Sequence, residues 1–183
     1  MIYHISLSLT AMALGLLHAL AGALALLFPD RARSFLLCFP RNRALGRILL
    51  GAGTAWAAIL CATIDLGEYS GFRSVLFFAC LTLGALSVWL LDDFPSVRGL
   101  SILLLLGADV LLDAAFLSDR PGKIAIVLLA YLWVIAGILF VSLPHLFRDR
   151  ICEPLSYAAP LRITAWAAVG IGAGLLAFGL GAG

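Results

Sequence analysis

The sequence predicts an all-α, polytopic membrane helix bundle of about six transmembrane helices joined by short loops, and two observations carry that expectation. Of 183 residues, 63% are hydrophobic and only 12% charged, against ~25% charged in an ordinary soluble domain, and the mean hydropathy is +1.11. The apolar residues also fall in blocks of roughly twenty, the length that crosses ~30 Å of hydrocarbon at ~1.5 Å per helical residue. Lipid offers no hydrogen-bond partner to an exposed backbone, and these runs lack the alternation of a barrel strand, so helices are the expected form.

The first block runs from 5 to 28 and closes on Phe28-Pro29-Asp30. Met1-Ile2-Tyr3-His4 carries no Lys or Arg, and the apolar run is longer than a signal-peptide h-region, so it reads as a retained first span. Further spans are expected at 48 to 66, 73 to 91, 99 to 117, 123 to 143 and 161 to 180, the fifth closed by Ser142-Leu143-Pro144. Residues 1 to 183 are therefore expected to form a single integral membrane domain. A comparison of the two halves finds only a loose echo, Arg43-Ala-Leu-Gly against Arg98-Gly-Leu-Ser, which does not support a duplicated transporter architecture.

Orientation follows from the basic residues. Arg31, Arg33, Arg41, Arg43 and Arg47 occupy the first connection, Arg98 the third, and Arg148, Arg150 and Arg162 the fifth, nine of the twelve Lys and Arg in the chain. Only Arg73, Arg120 and Lys123 fall on the even connections. The odd connections are expected in the cytoplasm and both termini outside a bacterial-type cytoplasmic membrane. Tyr3, Tyr69, Trp89, Tyr157 and Trp166 fall near span ends, as interfacial aromatics do, whereas Trp56 and Trp133 lie nearer mid-span.

A net charge of +2 with its basic residues beside the spans gives no sign of nucleic acid; the expected partners are the bilayer and its anionic head groups. The stretch from Pro29 to Arg47 mixes its five arginines with Phe35, Leu36, Leu37 and Phe39. It reads as an interfacial amphipathic segment, with Arg31, Arg33, Arg41, Arg43 and Arg47 as candidate lipid contacts at ~1 kcal/mol per basic residue; the plainer reading is a topology signal alone. Cys38, Cys61, Cys80 and Cys152 show no C-x-x-C spacing and are expected as reduced thiols.

Small residues predict close helix packing. Ala11, Gly15, Ala19 and Ala23 recur every four residues in the first span, and Gly170 and Gly174 make a G-x-x-x-G pair in the last. Packing inside the bundle is expected, with a homodimer seam as the alternative.

The residues with the most chemistry are Asp109 and Asp113 in the fourth span. Counted from Gly99 they lie ~15 Å and ~21 Å deep, and the four-residue spacing puts them on one helix face. A carboxylate facing lipid near a helix centre costs ~2.5 to 3.5 kcal/mol, so both should face the bundle interior, with at least one protonated. They read either as a proton or cation site or as neutral acids that tie helices together. His18 lies ten residues from Phe28, level with Asp109 at ~15 Å, and is a candidate partner. Thr63 and Asp65, near the outer end of the second span, would extend the track outward.

No metal or cofactor is expected. His4 and His18, fourteen apart, invite comparison with paired haem-ligand histidines, but each haem would need a second ligand, and His145 stands at the membrane edge opposite His4. H-E-x-x-H, the Walker glycine loop and G-x-S-x-G are absent.

Asp92, Asp93, Arg98, Gly107, Asp109 and Asp113 together resemble parts of the array of six-helix CDP-alcohol phosphatidyltransferases, in which paired aspartates on consecutive helices hold metal ions against a diphosphate. The resemblance implies a lipid-modifying enzyme; Phe94 and Val97 stand where that motif carries glycine and alanine, and Pro95 should interrupt its helix. The reading preferred over it is a non-enzymatic scaffold or accessory subunit of a membrane assembly, with a membrane-protein partner or a second copy. The alternative is a small proton-coupled transporter or channel centred on Asp109 and Asp113.

Overall fold

In a computed structural model the chain is described except for Met1, Ile2, His4, Leu91, Asp92, Leu117, Arg120, Pro121, Ala182 and Gly183. The expectations placed on His4, Asp92 and Arg120 lie outside the described residues. The fold is an all-α bundle with six helices long and apolar enough to cross a membrane.

Local signals start and stop these helices. Ser6 is extended, and its side chain accepts from the Leu9 backbone N–H at 3.3 Å to begin α1 (Leu7–Leu27), a Ser N-cap. Pro29 then opens α2 (Pro29–Cys38) at the first helical position, where its missing N–H costs nothing. A 3₁₀ turn, Phe39–Arg41, leads to Asn42, whose Oδ1 accepts from the Leu45 N–H at 3.0 Å and caps α3 (Arg43–Thr63). The 3₁₀ segment Gly67–Phe72 runs into α4 (Arg73–Leu90), followed by α5 (Pro95–Phe116) and α6 (Lys123–Ser142). Short helices α7 (Pro144–Phe147) and α8 (Glu153–Leu155) flank a π-helical turn, Arg148–Cys152, and α9 (Ala158–Leu180) is the last.

Several boundaries differ from expectation by a few residues, and two of the differences move named residues. The Asn42 cap starts the second span at Arg43 rather than 48, so Arg43 and Arg47 belong to the spanning helix and only Arg31, Arg33 and Arg41 stay in the interfacial stretch. Pro95 does not interrupt a helix but begins one, as the first residue of α5.

The most extensive packing is the antiparallel pair α1 and α9. A Cβ on Gly172 would stand 2.5 Å from the Ala19 nitrogen, and one on Gly22 would stand 2.6 Å from the Ala165 carbonyl oxygen. Gly15, Ala19 and Gly22 face α9, while Ala11 turns to another neighbour. The expected G-x-x-x-G pair is not used in this seam: nothing lies within 4 Å of a Cβ on Gly170 or Gly174. Leu7, Ala11 and Leu14 of α1 pack with Ala108, Leu111 and Ala115 of α5 and with Ile126 and Ala130 of α6. This core lies in the half of the bundle away from the arginines. On its other side α5 meets α3, with Gly99 against Leu49 and Leu50 and Gly46 against Pro95. At the arginine-rich end Phe39 lies 5.6 Å from Phe35 and 5.7 Å from Phe147, which meets Phe140 at 5.0 Å. α4 packs on α3, and none of its residues is buried.

Candidate intramembrane polar site

α5 carries Asp109 and Asp113 one turn apart, and its end at Phe116 sets their depth: at ~1.5 Å per residue Asp113 lies ~5 Å and Asp109 ~10 Å from that end. Against the expectation that both face the bundle interior, Asp109 is exposed and Asp113 only half-buried. Tyr3, in the segment that precedes α1, approaches both. Its backbone N–H donates to Asp113 Oδ2 at 3.2 Å, and its phenol lies near the Asp109 carboxylate. Trp56, half-buried on α3, donates its indole Nε1–H to the Tyr3 hydroxyl at 3.0 Å. A phenol both donates and accepts, so the Tyr3 hydroxyl, while accepting from the indole, keeps its own O–H free to donate.

Sequence reasoning placed Tyr3 in the interfacial aromatic belt and missed it as a site residue. The available signal was Trp56: a mid-span indole N–H has no partner in hydrocarbon and must find one in the protein.

His18 and Asp65 stand apart from this cluster. His18 Nδ1 is 2.8 Å from the Leu14 carbonyl oxygen one turn back; a carbonyl only accepts, so Nδ1 is the donor in this contact. Among the described residues no hydrogen bond or ion pair joins His18 to Asp109. Asp65 is exposed beyond the end of α3, where its Oδ1 accepts from the Gly67 N–H at 3.0 Å. That bond shapes a turn in which Gly67 takes φ +52°, a left-handed conformation suited to glycine. Thr63 Oγ1 donates back to Ile59 at 2.8 Å. Asp65 and Thr63 thus serve local backbone geometry.

The carboxylates that the phosphatidyltransferase resemblance would gather do not converge. Asp93 precedes α5, whereas Asp109 lies 14 residues beyond Pro95, ~21 Å along the axis, too far to share one diphosphate. Among the described residues no three His, Cys, Asp or Glu side chains cluster as metal ligands would, and all four cysteines are free thiols.

The arginines of the first and fifth connections collect at the other end. Arg31, Arg41, Arg43 and Arg47 are exposed and Arg33 half-buried, with Arg33 Nη1 3.6 Å from Asp30. Nearby, Arg148 Nε donates to Asp149 Oδ1 at 2.6 Å, which holds the Asp149 carboxyl below its ordinary range, and the Arg148 guanidinium lies 5.7 Å from the Phe94 ring centre. No protein-family model, no curated protein and no solved structure matches the chain.

Proposed function

We propose that the chain is a non-enzymatic scaffold or accessory subunit that joins another membrane protein, or a second copy of itself, through the outward face of α9. The observation that carries this reading is the contrast between glycines on one helix. Gly172 and Gly179 are filled by α1, while Gly170 and Gly174 are exposed with open space where a Cβ would go. Lipid gives apolar helices no hydrophobic drive to associate, so small residues that let backbones approach are what a partner helix would use. The unburied helix α4 offers a second free side. The positive-inside rule supports a cytoplasmic membrane with the arginine-rich end in the cytoplasm and both termini outside.

The test is affinity purification in a mild detergent with and without Gly174→Leu. A stoichiometric partner or dimer lost in the variant supports the proposal, and a monomer without partner in both proteins removes it.

A second reading has its own support. Asp113, Tyr3 and Trp56 form a hydrogen-bonded group beside Asp109, an exposed carboxylate whose contact with lipid would cost ~2.5 to 3.5 kcal/mol. Water at that face would make the pair a proton or cation site. The mutational comparison below separates the two.

A further inference from the structure

We infer that the groove between α1, α2 and α9 at the arginine-rich end holds one acyl chain of an anionic membrane phospholipid, with its head group on Arg31. The groove is open to its surroundings and has a volume of about 690 Å³, inside the ~300 to 1,000 Å³ of ordinary small-molecule sites. It is walled by α1 from Ala21 to Phe28 and by α9 from Leu161 to Ala168, so it runs ~10 Å along the helices from the head-group end into the apolar span. The lining is aliphatic and aromatic apart from two residues, Thr164 and Arg31. Thr164 Oγ1 already donates to the Pro160 carbonyl at 2.9 Å. Arg31 is the charged lining residue, exposed at the mouth, with its guanidinium carbon 5.2 Å from the centre of the Phe28 ring. That cation–π contact holds the charge over the groove, and the adjacent carboxylate, Asp30, pairs with Arg33.

A cation above an apolar trough complements an amphiphile with an anionic head and an alkyl tail. Bilayer phospholipid supplies both parts at this depth, where α2 turns out of the spanning helix. Arg41, Arg43 and Arg47 do not line the groove; they add to the attraction of the surface without marking a site. The inference is independent of the proposed partner face, which lies at Gly170 and Gly174.

The experiment offers the purified full chain equal amounts of phosphatidylglycerol and phosphatidylcholine with identical acyl chains and reads retained lipid by native mass spectrometry. Wild type is expected to retain phosphatidylglycerol about fivefold over phosphatidylcholine, the factor for one basic residue near anionic lipid. Arg31→Gln should bring the two to parity, Arg47→Gln should leave the preference, and Ala25→Phe, which fills the groove, should remove retention of both. Parity in wild type overturns the inference, as does a preference that survives Arg31→Gln or lipid retained by a folded Ala25→Phe. A dimer that Ala25→Phe dissociates would also overturn it, since a second copy would then occupy the groove. Arg31 is exposed, so its substitution keeps the test decisive even where Ala25→Phe does not fold.

Discussion

Tyr3 and Trp56 meet edge to face, their ring centroids 6.4 Å apart and their planes at 88°, with the indole N–H on the phenol oxygen at 3.0 Å. The pair is 53 residues apart in sequence and fastens the segment before α1 to the middle of α3. Replacing both rings by Phe in a double-mutant cycle isolates the hydrogen bond, because each single variant keeps an aromatic ring. A coupling of ~0.6 kcal/mol, and no more than ~1.7, is expected from interhelical hydrogen bonds in membrane proteins. Thermal unfolding in detergent measures it, and zero coupling would show that the two rings do not bond.

The tie and the proton-site readings of Asp109 and Asp113 give different mutational patterns. If the carboxyls hold structure, Asp109→Asn should be mild, because the amide keeps a hydrogen-bond acceptor at that position, and Asp109→Leu should lose stability by about 1 to 3 kcal/mol. If they carry a proton or cation, Asn should abolish flux as fully as Leu, because an amide does not ionise, in a protein that stays folded. Unfolding and proton uptake in liposomes are measured together for both substitutions at each position. Absence of pH-gradient-driven flux in wild type removes the transport reading; flux lost in a folded Asp109→Asn protein removes the scaffold reading.

Two glycines two residues apart on α9 should respond to the same change with opposite signs. Gly172→Ala forces a methyl against the Ala19 nitrogen at 2.5 Å, and overpacking of this kind typically costs about 1 to 3 kcal/mol. Gly174→Ala meets open space and should stabilise an isolated chain by about 0.5 to 1 kcal/mol through helix propensity. Melting temperatures of the two variants in detergent decide the point. Equal destabilisation would mean that α9 is rotated differently against α1.

Cys38 at the end of α2 and Cys152 at the end of the π-helical turn differ in accessibility, Cys38 exposed and Cys152 buried. Burial pushes the Cys152 thiol from 9.0 up to about 11, since desolvation disfavours the thiolate. In single-cysteine proteins a maleimide at pH 8 should modify Cys38 quickly and Cys152 only after unfolding. A thiol with a raised value favours the folded state fully below its unfolded value, so any stability from Cys152 should be constant below pH 9.0 and fall as pH rises toward about 11. Loss at lower pH would assign the wrong sign. The same Cys38 protein tests orientation: a membrane-impermeant reagent added to intact cells should leave it unmodified, and rapid labelling from outside would reverse the proposed topology.

Much of the bundle is legible in the sequence. Span number and approximate limits follow from apolar runs because hydrocarbon acts on each stretch locally, forcing the backbone to satisfy itself within the helix. Caps are local as well: Ser6, Asn42 and the proline at position 95 act on the turn beside them, although Asn42 and Pro95 become informative only once read as helix starts. The candidate site was legible in one part. Asp109 and Asp113 stand out because carboxylates are rare in spans, and four-residue spacing puts them on one face. Their partners were not legible, since depth along the membrane is one coordinate and contact requires three. His18 is level with Asp109 by count but bonds to Leu14, whereas Tyr3, outside every expected span, folds back onto the pair.

By itself the sequence determined the class of solvent, the number of apolar helices and the end at which the arginines gather, each a property of residue type summed along a segment. Only the tertiary structure decided that Gly172 meets α1 while Gly174 faces outward, that α4 stands on α3 with nothing buried, and that Arg31 closes an apolar groove. The reason is rotational. Residues two apart on a helix point ~200° from each other around its axis, and where apolar and small residues lie on every side, nothing local fixes which side turns inward. That choice is made by the packing of neighbours distant in sequence.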